Sequence, residues 1–242
     1  MSFRNYVDKL NRYFWFSKEE WLSFIIAVVV LSIIYIWPSQ GTLIYLNQVP
    51  LAIIFITMTL FVHHAGQRMM ALSLGMKAEH RLWWYGPLIG LILVMVSGGR
   101  IKFLAATATI AYALPAHRLG AFRYGPSLTT ISKICLAGPV LNIFFSALVK
   151  SLEWAGVLSP SIGNALFNLN IFFAMWNLLP IPPLDGSKVF YYSRLVYAFL
   201  FGTIVSYVFM VFFLNYYSYI SALIFGCVVW LLYYIFVEKE IK

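Results

Sequence analysis

Long apolar runs separated by short polar breaks dominate the chain. A helix crosses a bilayer with about 17–25 mostly apolar residues. Six runs reach that length, at residues 21–37, 50–74, 130–152, 165–181, 196–215 and 219–237. Trp21 and Trp37 bound the first, and Pro38 stops it. Two shorter runs, residues 85–97 and 103–114, flank Gly98-Gly99-Arg100-Ile101-Lys102. Neither is long enough to span comfortably. They predict either two short spans or a re-entrant or strand-like hairpin whose backbone is covered by protein. The expected fold class is an all-α polytopic membrane protein, with about six transmembrane helices plus that hairpin insertion.

Composition narrows the class further. The 242 residues are 62% hydrophobic and only 10% charged, against about 25% charged in an average soluble domain. With a mean hydropathy of +0.84, a soluble enzyme or a nucleic-acid-binding domain is excluded. The net charge of +9 then belongs to cytoplasmic loops facing anionic headgroups. With the N-terminus inside, the inner segments hold Arg4, Lys9, Arg12, Lys18, Lys77, Arg81, Arg118, Arg123, Lys133, Lys188, Arg194, Lys239 and Lys242. The outer loop 38–48 and residues 215–218 hold none. Only Lys150, with Arg100 and Lys102 if the hairpin crosses, departs from the pattern. This predicts a multi-pass protein of the cell membrane with both termini cytoplasmic. Residues 1–20 read as a cytoplasmic segment, 21–237 as one membrane domain and 238–242 as a tail. The N-terminus has no cleavable signal, so the first span reads as a retained anchor. Cys135 and Cys227 lie in apolar runs without a CxxC, and read as small buried hydrophobes.

Ionisable groups at membrane depth are costly and mark function by default. The second span carries His63, His64, Gln67 and Arg68. His63 and Gln67 are four residues apart and share a helix face. HExxH places two zinc-binding histidines in the same way, with the Glu as general base. Here His64 stands at the base position and Gln67 at the second ligand position. Alone, the cluster reads as a polar patch hydrogen-bonded to neighbouring helices. Asp185, one of two aspartates in the chain, follows Pro180, Pro182 and Pro183, which break the preceding helix near its cytoplasmic end. Lys188 and Arg194 are its ordinary partners in sequence. Asn142, after Gly138 and Pro139, reads as a donor and acceptor between helices. His80 and His117 read as solvated loop residues.

Three landmarks in order carry a resemblance: His63–Gln67, Ala137-Gly138-Pro139-Val140-Leu141-Asn142, and Asn177-Leu178-Leu179-Pro180-Ile181-Pro182-Pro183-Leu184-Asp185-Gly186. Over about residues 45–195 the chain resembles the site-2 proteases, intramembrane zinc metalloproteases, in particular the small prokaryotic type. The resemblance implies that His63 and Asp185 are the first and third zinc ligands. It places Gln67 at the second ligand position, His64 at the general base, and Asn142 and Asn177 along the substrate cleft. The implied cofactor is zinc. The implied partner is a membrane-embedded client or substrate protein within the bilayer, not nucleic acid.

The chain departs from the family where the chemistry is made. Gln is a poor zinc ligand, and a His base gains a positive charge that repels the metal. The expected function is therefore a site-2-protease-like homologue, impaired or inactive as a hydrolase, that binds a transmembrane or juxtamembrane segment of a client. An active zinc endopeptidase with altered ligands is the alternative. A transporter or proton-relay protein is the second alternative.

Overall fold

The computed structural model describes residues 3–38, 48–114 and 126–239. Its elements are α1 (Phe3–Tyr13), α2 (Lys18–Ile36), α3 (Val49–Ser73), β1 (Met76–Leu82), α4 (Tyr85–Val96), β2 (Thr107–Ala113), α5 (Leu128–Trp154), α6 (Pro160–Asn177), α7 (Asp185–Tyr192), α8 (Arg194–Leu214) and α9 (Tyr219–Tyr233). A π-helical turn, Tyr234–Glu238, continues α9. Among the described residues, α2, α3, α5, α8 and the segment Tyr219–Glu238 are long and apolar enough to cross a membrane. His117, Arg118, Arg123 and Lys242 lie outside the described residues.

Local chemistry sets the boundaries. A capping box starts α2, because Ser17 Oγ accepts from the Glu20 amide and the Glu20 carboxylate accepts from the Ser17 amide. Helix α2 therefore begins three residues before the apolar run. Helix α5 runs unbroken through Pro139. Helix α6 differs from the expected span. It starts at Pro160 and ends at Asn177, before the prolines. It is long enough but less apolar than the other five, because Asn164, Asn168, Asn170 and Asn177 dilute its apolar run. Phe167, Leu169, Asn170 and Phe173 bury that helix in the core with Leu31, Ile34, Ile56 and Leu60.

The stretch that reads as a cytoplasmic loop after the second span is a strand. β1 pairs antiparallel with β2, from Met76↔Ala113 to Leu82↔Thr107. Its sequence, Met-Lys-Ala-Glu-His-Arg-Leu, alternates with period two, and Met76, Ala78 and His80 point inward. The excursion between the strands leaves and returns at one pair, Leu82 and Thr107. Within it, α4 has 12 residues, about 18 Å against a hydrocarbon core of about 30 Å. The hairpin is thus half helix and half extended chain. Its strand partner lies before it in sequence rather than within it.

Candidate functional site

Helix α3 supplies His63 and Gln67, one turn apart. Helix α5 crosses it closely: a Cβ on Gly66 would lie 2.7 Å from the Ala137 carbonyl oxygen, and one on Gly138 would lie 2.7 Å from the His63 ring. The Ala-Gly pair of α5 thus makes the room that His63 occupies. Asp185 opens α7, after the proline break, and points back at α3. These three side chains meet. His63 Nε2 lies 2.9 Å from Asp185 Oδ2, and Gln67 Nε2 donates to the same oxygen at 2.8 Å. Asp185 is 4% exposed and Gln67 0%, so the centre is sealed.

The protons at this centre follow from the acceptors around it. Asn142 Nδ2 donates to the Thr59 carbonyl and to Asn170 Oδ1, which turns Asn142 Oδ1 toward His63. That oxygen only accepts, so His63 Nδ1, 3.0 Å away, carries a hydrogen. The contact between Nε2 and Asp185 then needs a further proton, held by the imidazole or by the carboxyl. Gln67 is oriented by the same logic. Its NH2 faces the Asp185 carboxyl and the Cys135 carbonyl at 3.4 Å, while its Oε1 accepts from Thr109 Oγ1 at 2.7 Å and His80 Nε2 at 2.8 Å.

His64 does not join His63 and Asp185. Its Nε2 shares a hydrogen bond with Thr107 Oγ1 at 3.1 Å, and its ring stacks on His80 with centroids 3.8 Å apart. Its Nδ1 is buried without a partner among the described residues. Asn177 donates to the Phe173 carbonyl and, at 3.5 Å, to that of Leu104, and is buried. Lys188 donates to the Thr109 carbonyl, and its cation and the Cys135 thiol also act on the Asp185 carboxyl beside His63 and Gln67. Cys135 is buried, whereas Cys227 is exposed on α9.

Four participants escape a reading of the chain alone: Glu20, His80, Thr107 and Thr109. His80 is not solvated but 2% exposed. Its amide donates to Glu20 Oε1 at 3.0 Å. Burial pulls its imidazole down to about 4, against the Glu20 carboxylate, 3.8 Å from Nδ1, that raises it. Glu20 also pairs with Arg68, whose guanidinium donates to the Phe14 and Trp15 carbonyls and lies 4.2 Å from the Phe16 ring centroid. The capping box at Ser17 and the alternation in β1 were the available signals.

Whether the centre suits zinc can be tested on its donors. Two ligands on one tetrahedral zinc stand about 3.3 Å apart, given bond lengths of about 2.0 Å. The 2.8 and 2.9 Å separations around Asp185 Oδ2 are those of direct hydrogen bonds. Gln67 turns N–H groups, not its oxygen, toward that point. No group of three or more His, Cys, Asp or Glu side chains among the described residues is arranged to hold a metal ion. The residues present do not fit a catalytic zinc.

No family model matches the chain, and no solved structure does. One similar protein, from Methanocaldococcus jannaschii, carries the name "Putative zinc metalloprotease MJ0611". The two are 30% identical over 190 residues, covering 76% of this chain and 90% of the relative.

Proposed function

The chain belongs to the zinc metalloprotease family, and from that premise we propose that it is a site-2-protease-like protein whose hydrolytic centre is closed, leaving the fold to bind a transmembrane or juxtamembrane segment of a client. The observation that carries this reading is the direction of the Gln67 carboxamide. A catalytic zinc takes three protein ligands and a water, with a base beside the water. Gln67 instead donates to the carboxylate that would be the third ligand. His64, at the position of the base, is held on the β-hairpin side by Thr107 and His80.

His63 and Asp185 keep their places in this reading. The Nδ1–H of His63 on Asn142 is the kind of contact that orients a ligating imidazole. The ancestral site is therefore still outlined, with a proton where a cation would stand. The basic residues on one set of loops support placing both termini in the cytoplasm, in the cell membrane.

Metal analysis of the purified protein after equilibration with zinc tests the proposal. Wild type should carry well under one zinc per chain. His64→Glu with Gln67→His should take up about one zinc and lose it on Asp185→Ala, with cleavage of a membrane-embedded reporter peptide as the second readout. Stoichiometric zinc in wild type, lost with Asp185→Ala, would overturn the closed centre and favour an active endopeptidase with altered ligands.

A further inference from the structure

At the end of the bundle where α2 and α8 finish and α6 begins, a cavity of about 450 Å³ lies between α6, the last turn of α2 and the extended return after α4. Arg100 and Lys102 line it, and among the described residues no Asp or Glu does. Its long wall is one face of α6, formed by Ala165, Leu169, Phe172 and Trp176 at spacings of three and four. At 1.5 Å per residue that stripe is about 16 Å long. Phe172 packs on Phe212 of α8, with ring centroids 4.5 Å apart.

Arg100 and Lys102 face the cavity, whereas Lys150 is buried against Glu153 and Asn164. Lys102 Nζ donates to the Tyr35 carbonyl at the end of α2. A cation is favoured by a helix C-terminus, which accounts for part of the Lys102 position. It does not account for the open apolar trough beside them.

A cationic end joined to an apolar trough matches an amphiphile with an anionic head. We propose that this cavity holds one anionic phospholipid. Its phosphate sits against Arg100 and Lys102, and an acyl chain lies along the α6 face against Leu169 and Phe172. The proposal goes beyond the reading of the metalloprotease centre and uses none of its residues, so either can fail without the other.

The test is native mass spectrometry of delipidated full-length protein in detergent, titrated with phosphatidylglycerol or with phosphatidylcholine of identical acyl chains. Each basic residue near an anionic headgroup is worth about fivefold in affinity, so two give a preference of about 30-fold for phosphatidylglycerol. This wild-type comparison needs no variant to fold. Arg100→Gln with Lys102→Gln should abolish the preference, and the carboxamide placed at position 102 would keep a donor for the Tyr35 carbonyl. Ala165→Phe, at a half-buried position on the same wall, fills the trough, leaves both cations and should lower retention of both lipids. Equal retention of the two lipids by wild type, or an unchanged preference in the double variant, overturns the proposal. Displacement of the lipid by millimolar inorganic phosphate, or by a peptide with a free carboxyl terminus, would reassign the site and overturns it equally.

Discussion

Replacing Gln67 with leucine removes a carboxamide and keeps most of its volume. Three well-formed hydrogen bonds disappear: the one to Asp185 at 2.8 Å and those from His80 and Thr109 at 2.8 and 2.7 Å. A neutral buried hydrogen bond contributes about 1 kcal/mol net, and one to a charged group about 1.5–3 kcal/mol. Two of the first kind and one of the second give about 4 kcal/mol. The stranded N–H of His80 and hydroxyl of Thr109 are both buried and push the cost upward. In a chain of this size about 1 kcal/mol moves the melting temperature by about 2–4 °C, so the variant should melt about 8–16 °C below wild type. Thermal unfolding in detergent micelles, followed by circular dichroism, measures the shift. Ser73→Ala, at an exposed site on the same helix, serves as the control and should stay within about 0.5 kcal/mol. A Gln67→Leu protein that melts within about 2 °C of wild type would refute the reasoning. The carboxamide would then not be what holds the centre closed.

Other perturbations reach the same region from different sides. Arg68→Met leaves Glu20 buried without its cation and frees the Phe14 and Trp15 carbonyls; it should cost about 3–5 kcal/mol, read as a lowered unfolding midpoint and as faster proteolysis near residue 15. Gly138→Ala drives a methyl into the His63 ring. It should cost about 1–3 kcal/mol and abolish the zinc uptake of the His64→Glu, Gln67→His protein. His80 is neutral when folded because its value is depressed to about 4 from 6.5. Its share of stability is whole above about pH 6.5 and is lost as pH falls toward 4, where only the unfolded chain has gained the proton. The full loss is about 3 kcal/mol, and unfolding midpoints measured from pH 7 to 4 should fall less steeply in His80→Gln.

The apolar runs made α2, α3, α5, α8 and α9 legible, because a bilayer imposes both length and composition on a spanning helix. The meeting of His63 with Asp185 was legible too, from the ionisable groups left at membrane depth and the proline break before Asp185. The β-hairpin was not. Charged residues hide the period-two alternation of Met76–Leu82. Its partner strand is also remote in sequence, since the paired residues Leu82 and Thr107 are 107 − 82 = 25 positions apart, and Met76 and Ala113 are 113 − 76 = 37. The orientation of Gln67 was equally out of reach. An amide has two faces, and only the neighbours Thr109, His80, Cys135 and Asp185 determine which one points where. Helix α6 is the least apolar of the long helices because of its four asparagines, of which Asn170 and Asn177 face the protein interior.

The partners of α3 emerge from the ribosome at very different times. His80 follows Gln67 by 13 residues and Thr109 by 42, so the carboxamide oxygen finds its donors early. Asn142 reaches His63 after 79 residues, and Asp185 only after 122. At about 5–20 residues per second, α3 waits about 6–24 s in the nascent protein before its last acceptor exists. The hairpin whose donors hold the Gln67 carboxamide in place is thus also an early shelter for that polar face during synthesis. A chain truncated before α7 should remain a substrate for membrane quality control, with Asp185 the residue whose arrival ends that vulnerability.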